Sequence, residues 1–267
     1  MGKANMDRAF REVLERGDKA FVPYIMAGDG GLENLKDQIL FLQESGATVV
    51  ELGIPFSDPV ADGPVIQEAG IRALKNGTTL AGVLENLREW KQERTIPIVL
   101  MTYFNLVFAY GTERFAESCS EAGVDGLIIP DLPLEEEELV IPALSNYEIA
   151  LIRLAAPTSP QHRLERIAKR TEGFLYAVTV KGTTGVRSQY GEGLAEYLQH
   201  LKGLSSVPVL AGFGVSTPGQ VKELGGHCDG VIVGSKIVQL LHEGKRQEIK
   251  SLIEAARHSK LSGTACK

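Results

Sequence analysis

The sequence has few of the features that mark a secreted, metal-dependent or nucleic-acid-binding protein. Its three cysteines, Cys119, Cys228 and Cys266, are far apart, and no two stand at the spacing of metal ligands. This pattern predicts ordinary thiols in a reducing compartment and no metal site. The net charge of -6 at pH 7 argues against general binding to nucleic acid, which needs clustered lysine and arginine.

Long apolar runs and linkers are also missing. No run approaches the roughly 20 apolar residues that cross a bilayer, and residues 1–7 hold no apolar stretch of the signal-peptide kind. We therefore expect a cytoplasmic protein with no membrane partner. No Pro-, Gly- or Ser-rich linker divides the chain, which predicts a single domain over residues 1–267, with a flexible tail at about 260–267.

One theme repeats along the chain. A short run rich in Val, Ile and Leu ends near Gly, Pro or Asp and is followed by a longer segment with helical periodicity. The predicted strands are 21–25, 48–52, 98–101, 126–129, 149–152, 174–178, 208–211 and 230–233. Eight alternating units predict a parallel α/β fold, the (β/α)8 TIM barrel. An open doubly wound sheet is the alternative, but no GxGxxG motif follows the first strand.

Helical patterns fill the spaces between the predicted strands. They include 32–44, 112–122, 160–170, 194–201 and about 245–258. An extra amphipathic segment, at about 6–17, precedes the first strand. We expect this helix to cover the N-terminal end of the barrel.

The active site of such a barrel forms at the carboxyl ends of its strands. Glu51 stands inside the apolar second strand, where a carboxylate must be paired, protonated or catalytic. The following loop carries Asp58 and Asp62 among prolines and glycines. Two alternatives stay open here. The Glu51 carboxylate could be paired with backbone groups or a neighbouring cation, and Asp62 could be a turn former or a helix cap.

Three glycine-bearing turns, at 182–185, 212–214 and 234–235, follow late strands. In barrels, the loops after the seventh and eighth strands commonly hold a phosphate through backbone N–H groups and a helix N-terminus. Each turn alone would be an ordinary cap. Together, in this order, they favour a phosphate site.

The segment 51–64, ELGIPFSDPVADGP, resembles the signature of the tryptophan synthase alpha subunits. Residues 101–105, 130–133 and 211–215 are similar to further segments of the same family, and the resemblance covers about residues 10–255. It implies retro-aldol cleavage of indole-3-glycerol phosphate to indole and glyceraldehyde 3-phosphate, in tryptophan biosynthesis. Glu51 would be the general acid/base, Asp62 would stabilise charge at the indole N–H, and Tyr176 would lie beside Glu51.

The resemblance also implies how the substrate is held. The phosphate would be bound by Gly185, Gly214, Gly234 and Ser235, and the indole pocket would be walled by Phe21, Tyr24, Met101, Leu127 and Phe213. Thr184 would lie on a mobile lid, residues 180–193. Two positions depart from the family pattern: Thr183 stands where Val is usual and Tyr24 where Phe is common.

The family implies a partner, a beta subunit that carries pyridoxal phosphate and receives indole in an alpha2beta2 heterotetramer. No cofactor is expected in this chain itself. The partner surface would include Pro55, Phe56, Asp58, Asn105 and Pro133. Three alternatives stay open: another phosphate-sugar enzyme such as an isomerase or epimerase, a regulatory or channel-forming subunit without turnover, and a free-standing indole-releasing lyase.

Overall fold

A computed structural model of the chain describes residues 2–179 and 193–257. The strands in this part are β1 Ala20–Met26, β2 Val50–Gly53, β3 Ile98–Met101, β4 Gly126–Ile128, β5 Ala150–Leu151, β6 Arg153–Ala155, β7 Leu175–Val178, β8 Val209–Gly212 and β9 Gly230–Val233. They form one sheet in the order β5-β4-β3-β2-β1-β9-β8-β7-β6. Every pairing is parallel.

Helices surround this sheet. In the described residues they are α1 Lys3–Glu15, α2 Leu35–Ser45, α3 Pro64–Lys75, α4 Leu80–Glu89, α5 Phe104–Tyr110, α6 Thr112–Ala122, α7 Ile141–Asn146, α8 Gln161–Arg170, α9 Leu194–Leu204, α10 Pro218–Gly225, α11 Ser235–His242 and α12 Arg246–Arg257. Short 3-10 helices lie at Leu32–Asn34, Lys91–Glu93 and Glu137–Leu139. None of the helices described is both long and apolar enough to cross a membrane.

The sheet closes on itself through β5 and β6. Ile152 alone separates these two strands, so they are halves of one extended segment. The first half pairs with β4 and the second with β7, which joins the two ends of the strand order. The nine strands therefore form a barrel of eight βα units, and the predicted fold class is confirmed.

The fifth strand extends beyond its predicted range, 149–152, because β5 is followed directly by β6. The chain stays extended through β6 because the backbone N–H of Arg153 donates to Thr171 Oγ1 at 3.0 Å and its guanidinium pairs with Glu137 at 2.6 Å. Glu137 is itself 2% exposed. Arg153, a charged residue just past the predicted strand, is thus a partly buried member of the strand.

Two apolar layers follow from the alternation of side chains along each strand. One layer fills the barrel and includes Val22, Val99, Ile152 and Leu210. The other lies between the strands and the helices and is the larger. Since all strands are parallel, their carboxyl ends meet at one rim of the barrel.

Helix α1 covers the opposite rim, as predicted, but it spans residues 3–15 rather than 6–17. Met6 and Phe10 are 0% and 1% exposed and join the layer inside the barrel. The start moves towards the terminus because the Gly2 N–H donates to Asp125 at 2.7 Å. The helix ends before Gly17, whose φ of 76° is left-handed.

Candidate active site

A pocket with about 650 Å³ of open space lies at the carboxyl rim of the barrel. Six of its lining residues lie on strands: Tyr24 on β1, Glu51 on β2, Met101 on β3, Ile128 on β4, Leu154 on β6 and Tyr176 on β7. The remaining lining residues are Ala61, Asp62, Ile66, Phe213, Gly214, Val215, Gly234, Ser235 and Lys236. The structure thus brings Glu51, Asp62 and two of the glycine-bearing turns to one cavity.

Glu51 is 1% exposed, and its Oε2 has no hydrogen-bond partner in the part of the chain that the structure describes. Burial, and secondarily the charge of Asp62, raises the pKa of its carboxyl to about 8. The carboxyl is therefore protonated at neutral pH. An unpaired acid of this kind, facing a cavity, is available to a ligand rather than used by the fold.

Asp62 lies on the loop between β2 and α3 and is 6% exposed. Burial raises the pKa of its carboxyl to about 6, and a hydrogen bond with the Tyr103 hydroxyl, which lowers this pKa, offsets part of the effect. Its side chain does not cap α3, where Gly63 holds the cap position without a side-chain bond. The carboxylate is therefore ionised at neutral pH and free of the capping role that the sequence left open.

Tyr103 fixes this loop from the neighbouring strand end. Its hydroxyl accepts a hydrogen bond from the Ala61 N–H at 3.0 Å. Its ring stacks on Phe56 with the centroids 5.1 Å apart. The sequence did not single out Tyr103, although it lies just after β3, in the kind of segment where a barrel carries functional residues.

Tyr176 lies in the floor of the pocket and is 7% exposed. Burial is the main cause that holds the pKa of its hydroxyl well above the usual range, and Glu51 is the strongest charge acting on it. A Cβ at Gly212 would come within 2.3 Å of its ring. The glycine at position 212 therefore makes room for the Tyr176 ring.

The two later glycine-bearing turns both line the pocket. Ser235 begins α11, and no acidic residue stands in that first turn. Phe213 and Gly214 both have left-handed φ, 77° and 78°, and Thr179 donates to the carbonyl of Gly212 at 2.7 Å. These turns present backbone N–H groups at a helix start, the arrangement that holds phosphate. Gly185, with Thr183 and Thr184, lies outside the described residues.

Two predicted indole-pocket residues are not in the pocket. Phe21 and Leu127 belong to the outer layer, between strands and helices. Successive residues of a strand face opposite sides, and their neighbours Val22 and Ile128 face the barrel interior. Side chains alternate between the two faces of a strand, and this alternation, followed from Glu51 across the sheet, predicts Ile128 as the pocket residue of β4. Leu154 lies in the pocket only because the strand continues past Arg153.

The predicted partner residues lie at the same rim. Asp58, Asn105 and Pro133 are exposed and Phe56 is half-buried, but Pro55 is buried, so its side chain is not on the surface. Nearby, Val60 is 75% and Phe108 69% exposed. In the described residues, no group of three His, Cys, Asp or Glu side chains is placed to hold a metal ion.

The fold and the pocket define a class: a (β/α)8-barrel enzyme whose pocket holds two buried carboxyls and two glycine-bearing turns. A family model described as tryptophan synthase alpha chain matches residues 10–264. The chain belongs to that family, and it is a carbon–carbon lyase of tryptophan biosynthesis.

Relatives of known name agree with this membership. The chain is 60% identical over 253 residues to the tryptophan synthase alpha chain of Oceanobacillus iheyensis, a match covering 95% of this chain and 97% of the relative. It is 54% identical over 257 residues to that of Bacillus cereus, covering 96% and 98%.

Solved structures agree as well. The tryptophan synthase of Mycobacterium tuberculosis superposes with a TM-score of 0.87 at 31% identity, over 94% of this chain and 98% of that chain. The alpha subunit of Legionella pneumophila gives 0.82 at 33% identity, over 96% and 97%.

Proposed function

We propose that Glu51 and Asp62 cleave indole-3-glycerol phosphate into indole and glyceraldehyde 3-phosphate by a retro-aldol reaction. The observation that supports this most is the pairing of two buried carboxyls with different pKa values, about 8 and about 6, in one pocket. Between these values one is an acid and the other a base. Such a split is what a reaction needs when it requires a proton donor and a fixed negative charge at once.

Glu51 supplies the proton. The bond between the indole ring and the glycerol chain breaks only after ring carbon C3 gains a proton, because the ring must accept the bonding electrons. A carboxyl protonated at neutral pH, with an oxygen free of other bonds, can deliver that proton. As the bond breaks, the adjacent glycerol hydroxyl becomes the aldehyde, and its proton returns to Glu51.

Asp62 stabilises the charged intermediate. Protonation at C3 leaves a cationic ring whose charge is shared with the indole N–H. An ionised carboxylate held in a largely buried pocket stabilises that charge strongly, because little water competes with it. The contact with Tyr103 keeps Asp62 ionised, since it lowers the pKa that burial raises.

Gly214, Gly234 and Ser235 hold the phosphate in this proposal. All three line the pocket, and Gly234 and Ser235 lie at a helix start without acidic residues. Backbone N–H groups there bind an anion without requiring a charged side chain. Gly185 is assigned to the same role on the resemblance alone.

We further propose that the chain needs no cofactor and works in the cytoplasm. Proton transfer and charge stabilisation by side chains suffice for this cleavage. Pyridoxal phosphate would belong to a beta subunit that receives the indole in an alpha2beta2 heterotetramer. The exposed residues Asp58, Asn105 and Pro133, with half-buried Phe56, support a partner surface at the pocket rim.

The test is indole release from indole-3-glycerol phosphate by the purified chain, with and without a tryptophan synthase beta subunit. We expect slow release alone and strong stimulation by the partner. Fast release by the chain alone would instead indicate a free-standing lyase. No release in either condition would contradict the proposal and leave an isomerase, an epimerase or an inactive regulatory subunit.

A further inference from the structure

Tyr24 and Tyr176 both bring a hydroxyl to the pocket, and the proposed mechanism uses neither. The position of Tyr24 indicates a role for its hydroxyl. The residue is 3% exposed, lines the pocket and lies on β1, where its Cα pairs with that of Glu51 on β2. Its hydroxyl makes no hydrogen bond to any other residue that the structure describes. Tyr24 lines a cavity, where a ligand can supply a hydrogen bond to this hydroxyl.

The position of the ring shows which part of the pocket the hydroxyl reaches. At one end, the Tyr24 Cβ lies 3.7 Å from where a Cβ on Gly234 would stand. At the other end, a Cβ on Gly53 would come within 2.0 Å of the hydroxyl oxygen. The ring thus runs from the phosphate side to the carboxyl side, and glycine at position 53 leaves the space that the hydroxyl occupies.

The surroundings make this hydroxyl a donor. Burial, followed by the charges of Asp62 and Glu51, holds the pKa of Tyr24 well above its usual range, so the phenol keeps its proton. Its partner must therefore offer an acceptor. The indole ring offers only an N–H, which is assigned to Asp62, and the phosphate lies at the Gly234 end. The hydroxyl oxygens of the glycerol chain lie between them.

We infer that the Tyr24 hydroxyl donates a hydrogen bond to a glycerol hydroxyl oxygen of the substrate and so selects for a hydroxylated side chain. This inference rests on the proposed substrate. It makes Tyr24 a specificity-determining residue rather than a wall of the indole pocket alone. A site built to bond a hydroxyl discriminates against the ligand that lacks it.

The experiment compares two ligands on a chain that cannot turn over. In a Glu51→Gln background, titration calorimetry measures the Kd of indole-3-glycerol phosphate and of indole-3-propanol phosphate, which has the same ring and phosphate but no glycerol hydroxyls. We expect Tyr24→Phe to raise the Kd of the first about fivefold to tenfold and to leave the second unchanged within about twofold. Retained binding of the second also shows that the variant folds.

Tyr110→Phe is the matched control, because its hydroxyl bonds Ser118 and lies outside the pocket. It should change neither Kd. An equal effect of Tyr24→Phe on both ligands, or none on either, would overturn the inference while leaving the proposed function intact. If the Tyr24-containing chain bound neither ligand, the proposed function and the inference would both fail.

Discussion

At the scale of single residues, the proposed mechanism gives two carboxyls of similar intrinsic acidity different roles because their surroundings differ. Glu51 is the more deeply buried and has an oxygen without a partner. Asp62 interacts with the Tyr103 hydroxyl, which favours its ionised form. Environment rather than residue type thus separates acid from base.

Glu51→Gln should lower kcat for indole release by at least about a thousandfold, because glutamine cannot donate the proton. Substrate binding should change little. Glu68→Gln, on exposed α3 surface, is the control and should retain full activity. Near-normal turnover in the Glu51 variant would remove the acid role from this residue.

The same variant should not lose stability. A carboxyl whose folded pKa is raised to about 8 makes the protein less stable as pH rises from its unfolded pKa towards 8, since ionisation is disfavoured only in the folded state. Glutamine lacks this penalty. Thermal midpoints at pH 8 should therefore be equal or higher for Glu51→Gln, and a clear decrease would indicate damage to the fold.

The pH profile of kcat/KM should be bell-shaped. Activity requires ionised Asp62, which is lost as pH falls through about 6, and protonated Glu51, which is lost as pH rises through about 8. Initial rates between pH 5 and pH 9, under subsaturating substrate, measure both limbs. A flat profile over this range would contradict the assignment of the two groups.

At the scale of elements, the proposed functional side chains lie on strands or on the segments that follow them, and the support for Asp62 comes from the next strand along the chain. The loop between β2 and α3 carries Asp62, and Tyr103, just after β3, supports that loop. Helix α1 supports the barrel from the opposite rim. Catalytic and stabilising contacts are thus separated along the strand axis.

Tyr103→Phe should shift the acid limb of the pH profile upwards by about half a pH unit or more. The hydroxyl lowers the pKa of Asp62, so its removal raises that pKa and more acid-side activity is lost. The alkaline limb should hardly move. Tyr110→Phe serves again as control, and identical profiles for both variants would show that Tyr103 does not act on Asp62.

Phe10→Ala should reduce the free energy of unfolding by about 3 to 5 kcal/mol. Phe10 is 1% exposed and packs edge-on against Phe174 at 5.6 Å, so truncation leaves a cavity at the covered rim. Urea unfolding measures the loss, while kcat at 25 °C should stay near normal. Phe108→Ala, at a residue 69% exposed, should cost less than about 0.5 kcal/mol; equal losses would contradict the role of α1.

At the scale of the whole molecule, closure of the barrel gathers distant segments at one rim. Residues from the ends of six strands and from the loops after them meet in a single pocket. The proposed partner surface lies beside that pocket. Indole leaving it would therefore have a short path to a bound partner.

Asn105→Arg should weaken binding of a beta subunit about tenfold or more while leaving slow indole release by the chain alone unchanged. Asn105 is exposed on α5, so a larger charged side chain there obstructs a partner but not the pocket. Asn146→Arg, exposed on α7, is the control. Titrating beta subunit against the rate of indole release gives the affinity; unchanged stimulation would place the interface elsewhere.

The sequence alone determined the βα periodicity, and hence the barrel, because apolar runs and helical stripes are local patterns. It also selected Glu51, since an acid inside an apolar strand is conspicuous without any structure. The segment 51–64 was long and specific enough to indicate the family. Each of these patterns is formed by residues that are close together in the sequence.

The tertiary structure decided which side of the sheet each strand residue faces and which residues distant in sequence are in contact. The side that a strand residue faces is set by register across the sheet, so Phe21 and Leu127 were assigned to the wrong layer. The continuation of the fifth strand depended on Glu137 and Thr171, each 16 or more residues from Arg153. Tyr103 acts on Asp62 although the two residues are 41 positions apart in the chain, and the Tyr24 hydroxyl lies beside Gly53. Both contacts exist only because the barrel brings separate strands together.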